Sequence, residues 1–249
     1  MKVAVCVREV PDTEAYIKID ASQKHIVDSN ITFVMNPYDE YAVEEALKLQ
    51  ESVGAETVAV CPGTERADEV LRSAIAMGVQ SAVRVNAPET VWDGLATAEL
   101  LAPALKETAF DLLILGKEAI DDGAQHLGPM LGELLDLPCI SLVTKLDVAD
   151  GKVTAERESS EGVEVVEAAM PCIVTAQKGL NEPRYPSLRG KMAAKKAVID
   201  VKEGSAGEVR LEITGLEYPP ARGEAQVVGE GVEAVPELVR LLREEAKVI

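Results

Sequence analysis

Met1-Lys2-Val3-Ala4-Val5-Cys6-Val7 is the stretch on which the fold turns. Residues 3–7 are apolar without a break, as in a strand of a parallel sheet covered on both faces. The same short apolar type returns at Thr57–Cys61, Ala82–Val85 and Leu112–Leu115. Helical patterns fill the intervals. Asn36-Pro37 opens the first, with Asn suited to the N-cap and Pro to the first helical position. Asp39 and Glu40 sit in the first turn, where the dipole favours acids. Val43, Ala46 and Leu47 supply a stripe, and Gly54 ends the run. A second helix starts near Glu65, with Val70, Leu71, Ala74 and Ile75 inward and Gly78 past its end. A third covers about Gly94–Lys106. Strands alternating with helices in this way predict an α/β fold: a Rossmann-like, mostly parallel sheet with helices on both faces.

The pattern changes after Pro138. Ile140–Val148, Val153–Arg157 and Val163–Ala168 read as short strands divided by Asp150-Gly151 and Glu161-Gly162, a β-meander insertion. Cys172–Ala176 is apolar again and is expected to rejoin the sheet. Lys178–Lys196 has almost no periodicity and reads as a long loop. Residues 197–231 read as an extended arm, and Val235–Ala246 as a terminal amphipathic helix with Leu238, Leu241 and Leu242 on one face. The expected division is an α/β domain over 1–196 and an arm with its helix over 197–249.

Composition removes several functions. The 249 residues carry 43 acidic against 25 basic side chains, a net charge of −18. That balance argues against binding nucleic acid or an anionic membrane surface. With 2 Phe, 5 Tyr and 1 Trp there is no platform for stacking single strands. The longest stretch free of charged residues, Ser73–Val83, falls well short of the ~20 residues of a membrane span. The opening residues read as a strand rather than a signal peptide. Cys6, Cys61, Cys139 and Cys172 show no CxxC spacing and sit in or beside apolar runs, which fits buried thiols in a reducing cytoplasm. With only His25 and His126, residue supply argues against a zinc site or a Ser-His-Asp triad.

Ligands of open α/β sheets bind beyond the carboxyl ends of the strands. Here those ends are Cys6-Val7-Arg8, Cys61-Pro62-Gly63-Thr64 and Leu115-Gly116-Lys117. The last continues as Glu118-Ala119-Ile120-Asp121-Asp122-Gly123-Ala124-Gln125-His126-Leu127-Gly128-Pro129. Glycines there let backbone N–H groups approach an anion, and a helix starting near Gly123–Gln125 would add its dipole. Spacing alone does not separate such a phosphate cradle from an ordinary loop. Nor does it separate a Mg²⁺ role for Asp121-Asp122 from turn and cap bonds. No G-x-G-x-x-G follows the first strand, and no P-loop motif occurs.

Together these residues resemble the beta subunit of electron transfer flavoprotein. The resemblance runs through Val7–Asp12, Met35-Asn36-Pro37-Tyr38-Asp39-Glu40, Val43–Ala46, Arg72–Gly78, Leu115–Asp122 and Leu180-Asn181-Glu182-Pro183-Arg184-Tyr185, in consistent order over about residues 1–196. It implies an electron carrier without catalytic residues of its own. Such a subunit pairs with an alpha subunit that holds most of the redox FAD. The heterodimer passes electrons from acyl-CoA and related dehydrogenases to a membrane quinone oxidoreductase, as in fatty acid oxidation. The resemblance also implies a structural AMP in this subunit, at Cys6, Asn36, Pro37, Tyr38, Asp39, Pro62, Gly116, Lys117, Ala119, Ile120, Asp121, Asp122, Gly123, Ala124, Gln125, His126 and Leu127. Tyr38 looks like the aromatic residue that approaches the flavin. Asn181, Glu182, Pro183, Arg184, Tyr185 and Leu188 resemble a loop that docks dehydrogenases, with Leu188 as its apolar tip, and the 197–249 arm would pack on the alpha subunit.

Departures from the family pattern matter. Glu9 stands where a basic residue is usual. Ala124-Gln125 and Gly128-Pro129 lean towards relatives that bind a second FAD in place of AMP and bifurcate electrons, so AMP and FAD both stay open here. A freestanding nucleotide hydrolase lacks a nucleophile or metal site, and a nucleotide-sensing stress-type protein lacks its glycine motif. Lys178–Lys196 contains Lys178, Arg184, Arg189, Lys191, Lys195 and Lys196 against Glu182 alone, a cationic island on an acidic chain. That contrast suits steering towards a negative protein surface and should weaken with salt.

Overall fold

The computed structural model describes residues 1–87, 93–205, 208–221 and 225–249. The chain forms two compact units, Met1–Thr214 and Gly215–Ile249. The first is built on β1 (Lys2–Cys6), β2 (Glu9–Pro11), β3 (Phe33–Met35), α1 (Pro37–Val53), β4 (Glu56–Gly63), α2 (Asp68–Met77), β5 (Ser81–Asn86), α3 (Gly94–Thr108), β6 (Leu112–Gly116) and α4 (Leu127–Leu135). It continues through β7 (Cys139–Ala149), β8 (Lys152–Ser159), β9 (Gly162–Ala169), β10 (Cys172–Ala176), α5 (Leu188–Lys196) and β11 (Asp200–Glu203).

One nine-stranded sheet runs β11-β5-β4-β1-β6-β10-β7-β8-β9, and β2 with β3 forms a small antiparallel ribbon. β1 pairs in parallel with β4 on one side and β6 on the other. β10 does rejoin the sheet, parallel to β6 and β7, while β7, β8 and β9 form the expected antiparallel meander. Successive residues of β1 point into different cores. Val3 and Val5 pack with Val43, Leu47, Leu71 and Ala74 of α1 and α2. Ala4 and Cys6 pack with Leu101, Leu105 and Leu131 of α3 and α4. A continuous apolar strand therefore buries both its faces, the physical reason for its pattern.

The predicted starts and stops differ in instructive ways. Asn36 is the N-cap of α1 and Pro37 opens the helix, yet the Asn36 side chain makes no cap bond. Gly54 closes α1 at φ 69°. α4 begins at Leu127, a few residues later than the sequence suggests. Lys178–Lys196 is not all loop: its second half is α5. Only Ala194 of α5 is buried, so no apolar stripe advertised the helix. It is held instead by the Ser187 hydroxyl accepting from the Gly190 N–H at 3.0 Å. Arg72 also donates to the Ala194 carbonyl at 2.6 Å. Gly190 lies so close to α2 that a Cβ there would come within 2.2 Å of the Ala76 carbonyl oxygen. The arm starts as β11, parallel to β5. Its residues 206–207 and 222–224 lie outside the described set. The second unit carries α6 (Val235–Glu244), none of whose residues is buried.

Candidate functional site

The strand order reverses its direction of growth between β1 and β6, and a cavity lies at that point. It is lined by Cys6, Val7 and Arg8 after β1, Asn36 and Asp39 at the start of α1, and Pro62 of β4. Gly94, Thr97 and Leu101 of α3, then Leu115–Ala119, Asp122 and Ala124–Leu127, complete it. This is the crevice where open α/β sheets bind ligands.

Asn36 and Asp39 explain how the walls hold their shape. The Asn36 amide donates to the Glu118 carbonyl at 2.8 Å and accepts from the Ile120 N–H at 3.2 Å. The residue expected to cap α1 thus tethers the loop after β6. Asp39 is buried and accepts from the Arg8 N–H at 2.7 Å and the Gly116 N–H at 2.9 Å. One carboxylate joins the ends of β1 and β6. Gly116 has to be glycine, because a Cβ would sit 2.4 Å from Asp39 Oδ1 and 2.8 Å from the Tyr38 backbone carbon. Glu118 accepts from the Gln125 side chain at 2.6 Å, folding the loop back on itself. Lys117 places its ammonium 4.9 Å from the centre of the Tyr38 ring. Arg8 spans the loop's acids, donating to Asp122 at 2.7 Å and Asp121 at 2.8 Å. Asp121-Asp122 is thereby an arginine clasp, and Asp122 also accepts from the Ala124 N–H at 3.0 Å. Glu9, the departure from the family pattern, pairs with Arg66 at 2.7 Å.

Burial pushes the Asp39 carboxyl up to about 7, against hydrogen bonds from Arg8, Asn36 and Gly116 that pull it down. The folded value exceeds the unfolded one, so the unfolded chain gives up this proton first as pH rises. Asp39 therefore favours folding most below about pH 4, and its contribution falls up to about pH 7 before levelling. The stability difference between wild type and Asp39→Ala should accordingly shrink by at least ~1 kcal/mol between pH 5 and 8 in urea titrations. A constant difference would show that Asp39 ionises in its ordinary range. Burial also pushes the Cys6 thiol up, with Asp39 adding to the effect.

Of the residues implied by the resemblance, Cys6, Asn36, Asp39, Pro62, Gly116, Lys117, Ala119, Asp122, Ala124, Gln125, His126 and Leu127 line this cavity. Pro37, Tyr38, Ile120 and Gly123 are not among its lining residues, and Asp121 lines a second cavity alongside. Thr97, Leu101 and Gly94 carry no sequence signal as site residues; the His126 ring packs so closely on Gly94 that a Cβ there would overlap it. Arg8 was legible only as a strand end. Asn181 donates to the Tyr41 carbonyl and to Glu45, both at 2.9 Å, and Arg184 is forked onto Glu44 and Glu51. Beyond this bracing, Tyr185 is 97% and Leu188 78% exposed. Among the described residues no helix is long and apolar enough to cross a membrane, and no His/Cys/Asp/Glu cluster could hold a metal.

The lining combines an apolar wall with backbone donors at the rim. Leu101, Leu115 and Leu127 offer apolar surface, and Gly116 keeps a Cβ out of the way. The first-turn N–H groups of α4, which lack intrahelical partners, begin at its rim. Sheet, switch-point cavity and glycine-bearing loop define a nucleotide-binding-like α/β protein. The family profile of the electron transfer flavoprotein domain matches residues 24–206. The chain is similar to electron transfer flavoprotein subunit beta of Bacillus subtilis, 40% identical over 260 residues that cover 100% of both chains. It is similar to the Bradyrhizobium diazoefficiens protein of the same name, 38% identical over 254 residues, again covering 100% of both. The Mus musculus subunit beta is 34% identical over 256 residues, 100% of this chain and 99% of that one. The chain belongs to the electron transfer flavoprotein family, in the line of its beta subunits.

Proposed function

We propose that this chain pairs with an alpha subunit, encloses part of an FAD held mainly by that partner, and keeps a structural AMP in the strand-end cavity. The heterodimer takes electrons from acyl-CoA and related dehydrogenases and delivers them to a membrane quinone oxidoreductase. The supporting observation is the cavity at the switch point, walled by backbone that Asn36 and Asp39 hold in place. Redox chemistry belongs to the flavin. This chain's residues bind, orient and dock. Asn36 and Asp39 fix the loop over the nucleotide, Tyr38 faces the partner's flavin, and the 181–188 segment meets the dehydrogenase. The arm over 197–249 packs on the alpha subunit through the Val235 and Leu238 face of α6, which this chain leaves exposed. Its free thiols fit a reducing cytoplasm.

The deciding experiment is to denature the purified heterodimer and identify the nucleotides released. One FAD with one AMP supports the reading. A colourless protein without an alpha partner overturns it. A second reading, FAD in place of AMP, is favoured by the cavity next door, which shares Arg8, Pro62 and Thr97 with the first. Release of two FAD would establish it.

Leu188→Ala tests the docking role. The side chain is exposed, so stability should change by less than about 0.5 kcal/mol. Losing its apolar contact should slow electron uptake from an acyl-CoA dehydrogenase roughly tenfold at limiting concentration. FAD and nucleotide content should stay unchanged. Stopped-flow kinetics equal to wild type would remove Leu188 from the interface.

A further inference from the structure

We propose that Arg8 sets the length of nucleotide the site accepts: its guanidinium partitions the strand-end cavity from its neighbour, so the closed arrangement takes a mononucleotide and the open one a dinucleotide. The inference rests on the nucleotide reading above. Arg8 faces both cavities. Asp122 lines only the first and Asp121 only the second. The guanidinium reaches both, one NH2 group on Asp122 at 2.7 Å and the other on Asp121 at 2.8 Å. The fork thus lies across the boundary, and a ligand extending from one cavity into the other displaces it.

The clasp is firm enough to keep shape and weak enough to open. Arg8's backbone is fixed, since its N–H is held by buried Asp39. Its guanidinium pairs are part-exposed, and ion pairs in contact with water contribute little net stability. Asp121 Oδ1 is buried without a hydrogen-bond partner, on a side chain only 11% exposed. A hydroxyl-bearing ligand entering the second cavity would supply the missing donor. Across that cavity the Arg66 guanidinium stacks 3.6 Å from the centre of the Phe33 ring and is fixed by Glu9. That flat cationic wall suits the second half of a dinucleotide.

The test is calorimetric binding of AMP and of ADP-ribose to the heterodimer after its cavity nucleotide has been removed. The readout is the ratio of the two Kd values. Wild type should prefer AMP by at least about tenfold, and Arg8→Ala should narrow that preference by about tenfold. Asp122→Asn keeps Arg8 and loosens one side of its grip, so it should shift the ratio in the same direction, by less. Ratios unchanged in both variants, or shifted towards AMP, overturn the partition. If wild type binds neither ligand, the nucleotide reading itself fails, an outcome distinct from failure of the partition.

Discussion

Gly116→Val will cost roughly 3–5 kcal/mol of stability and abolish nucleotide retention. The cost combines overpacking with a buried hydrogen bond left unmade. Even the first carbon of the new side chain would meet Asp39 Oδ1 at 2.4 Å, Tyr38 Cβ at 2.7 Å and the Tyr38 backbone carbon at 2.8 Å. Two of these belong to Tyr38, in the first turn of α1, which cannot swing aside as a flexible side-chain tip could. Either β6 retreats or α1 does, and each movement breaks the Gly116 N–H bond to Asp39. Asp39 also holds the end of β1, so the damage reaches both strand ends that wall the cavity. Gly123→Ala is the control. Gly123 has φ +61° but open space around it, so alanine costs only the strain of a left-handed backbone, ~1 kcal/mol. Urea unfolding together with chromatography of released nucleotide measures both variants. A Gly116→Val protein with wild-type stability and full nucleotide would disprove the close-approach argument.

What the sequence made legible follows from what each signal physically reports. Both-face burial produces unbroken apolar runs, so β1, β4 and β6 and the helices between them were readable, as was the strand-end location of the cavity. Residues with two plausible partners were not. Asn36 looked like a helix cap, but its amide satisfies the Glu118 and Ile120 backbone instead. Asp39 looked like a dipole partner, but tertiary packing buried it between two strand ends. Gly94 and Thr97 line the site because α3 crosses above the sheet there, and no local pattern encodes that crossing. Asp93, the cap of α3, likewise takes a second pair of backbone N–H groups from Arg210 and Leu211, over a hundred residues away. α5 was missed because a helix docked by a glycine and by arginine–carbonyl bonds needs no apolar stripe.

The same cause hid the brace beneath the 181–188 segment, and that brace carries the other large effect. Arg184→Ala should cost about 2–4 kcal/mol, below the full penalty for a stranded buried charge because the arginine is itself part-exposed. Glu44 lies on the face of α1 turned towards the 181–184 segment, its side chain only 8% exposed. It accepts from the Arg184 backbone N–H at 3.1 Å and from the guanidinium at 2.8 Å and 2.9 Å. Glu51, about two helical turns further on, takes the outer edge of the same guanidinium. These bonds push the Arg184 pKa upward, Glu44 contributing first. Truncation removes every side-chain bond at once and leaves Glu44 with its charge in a largely dry place. Asn181, bonded to Tyr41 and Glu45, and the backbone N–H of residue 184 on Glu44 are then the ties left to α1. Arg184→Lys should recover less than half of the loss, since an ammonium cannot bridge two carboxylates as a planar fork does. Loosening the segment should expose residues 178–187 to limited proteolysis and slow electron uptake, while nucleotide and flavin stay bound, because no part of the brace lines the cavity. A truncated protein that resists protease and unfolds at the wild-type urea concentration would show that the 181–188 segment holds its position without Arg184.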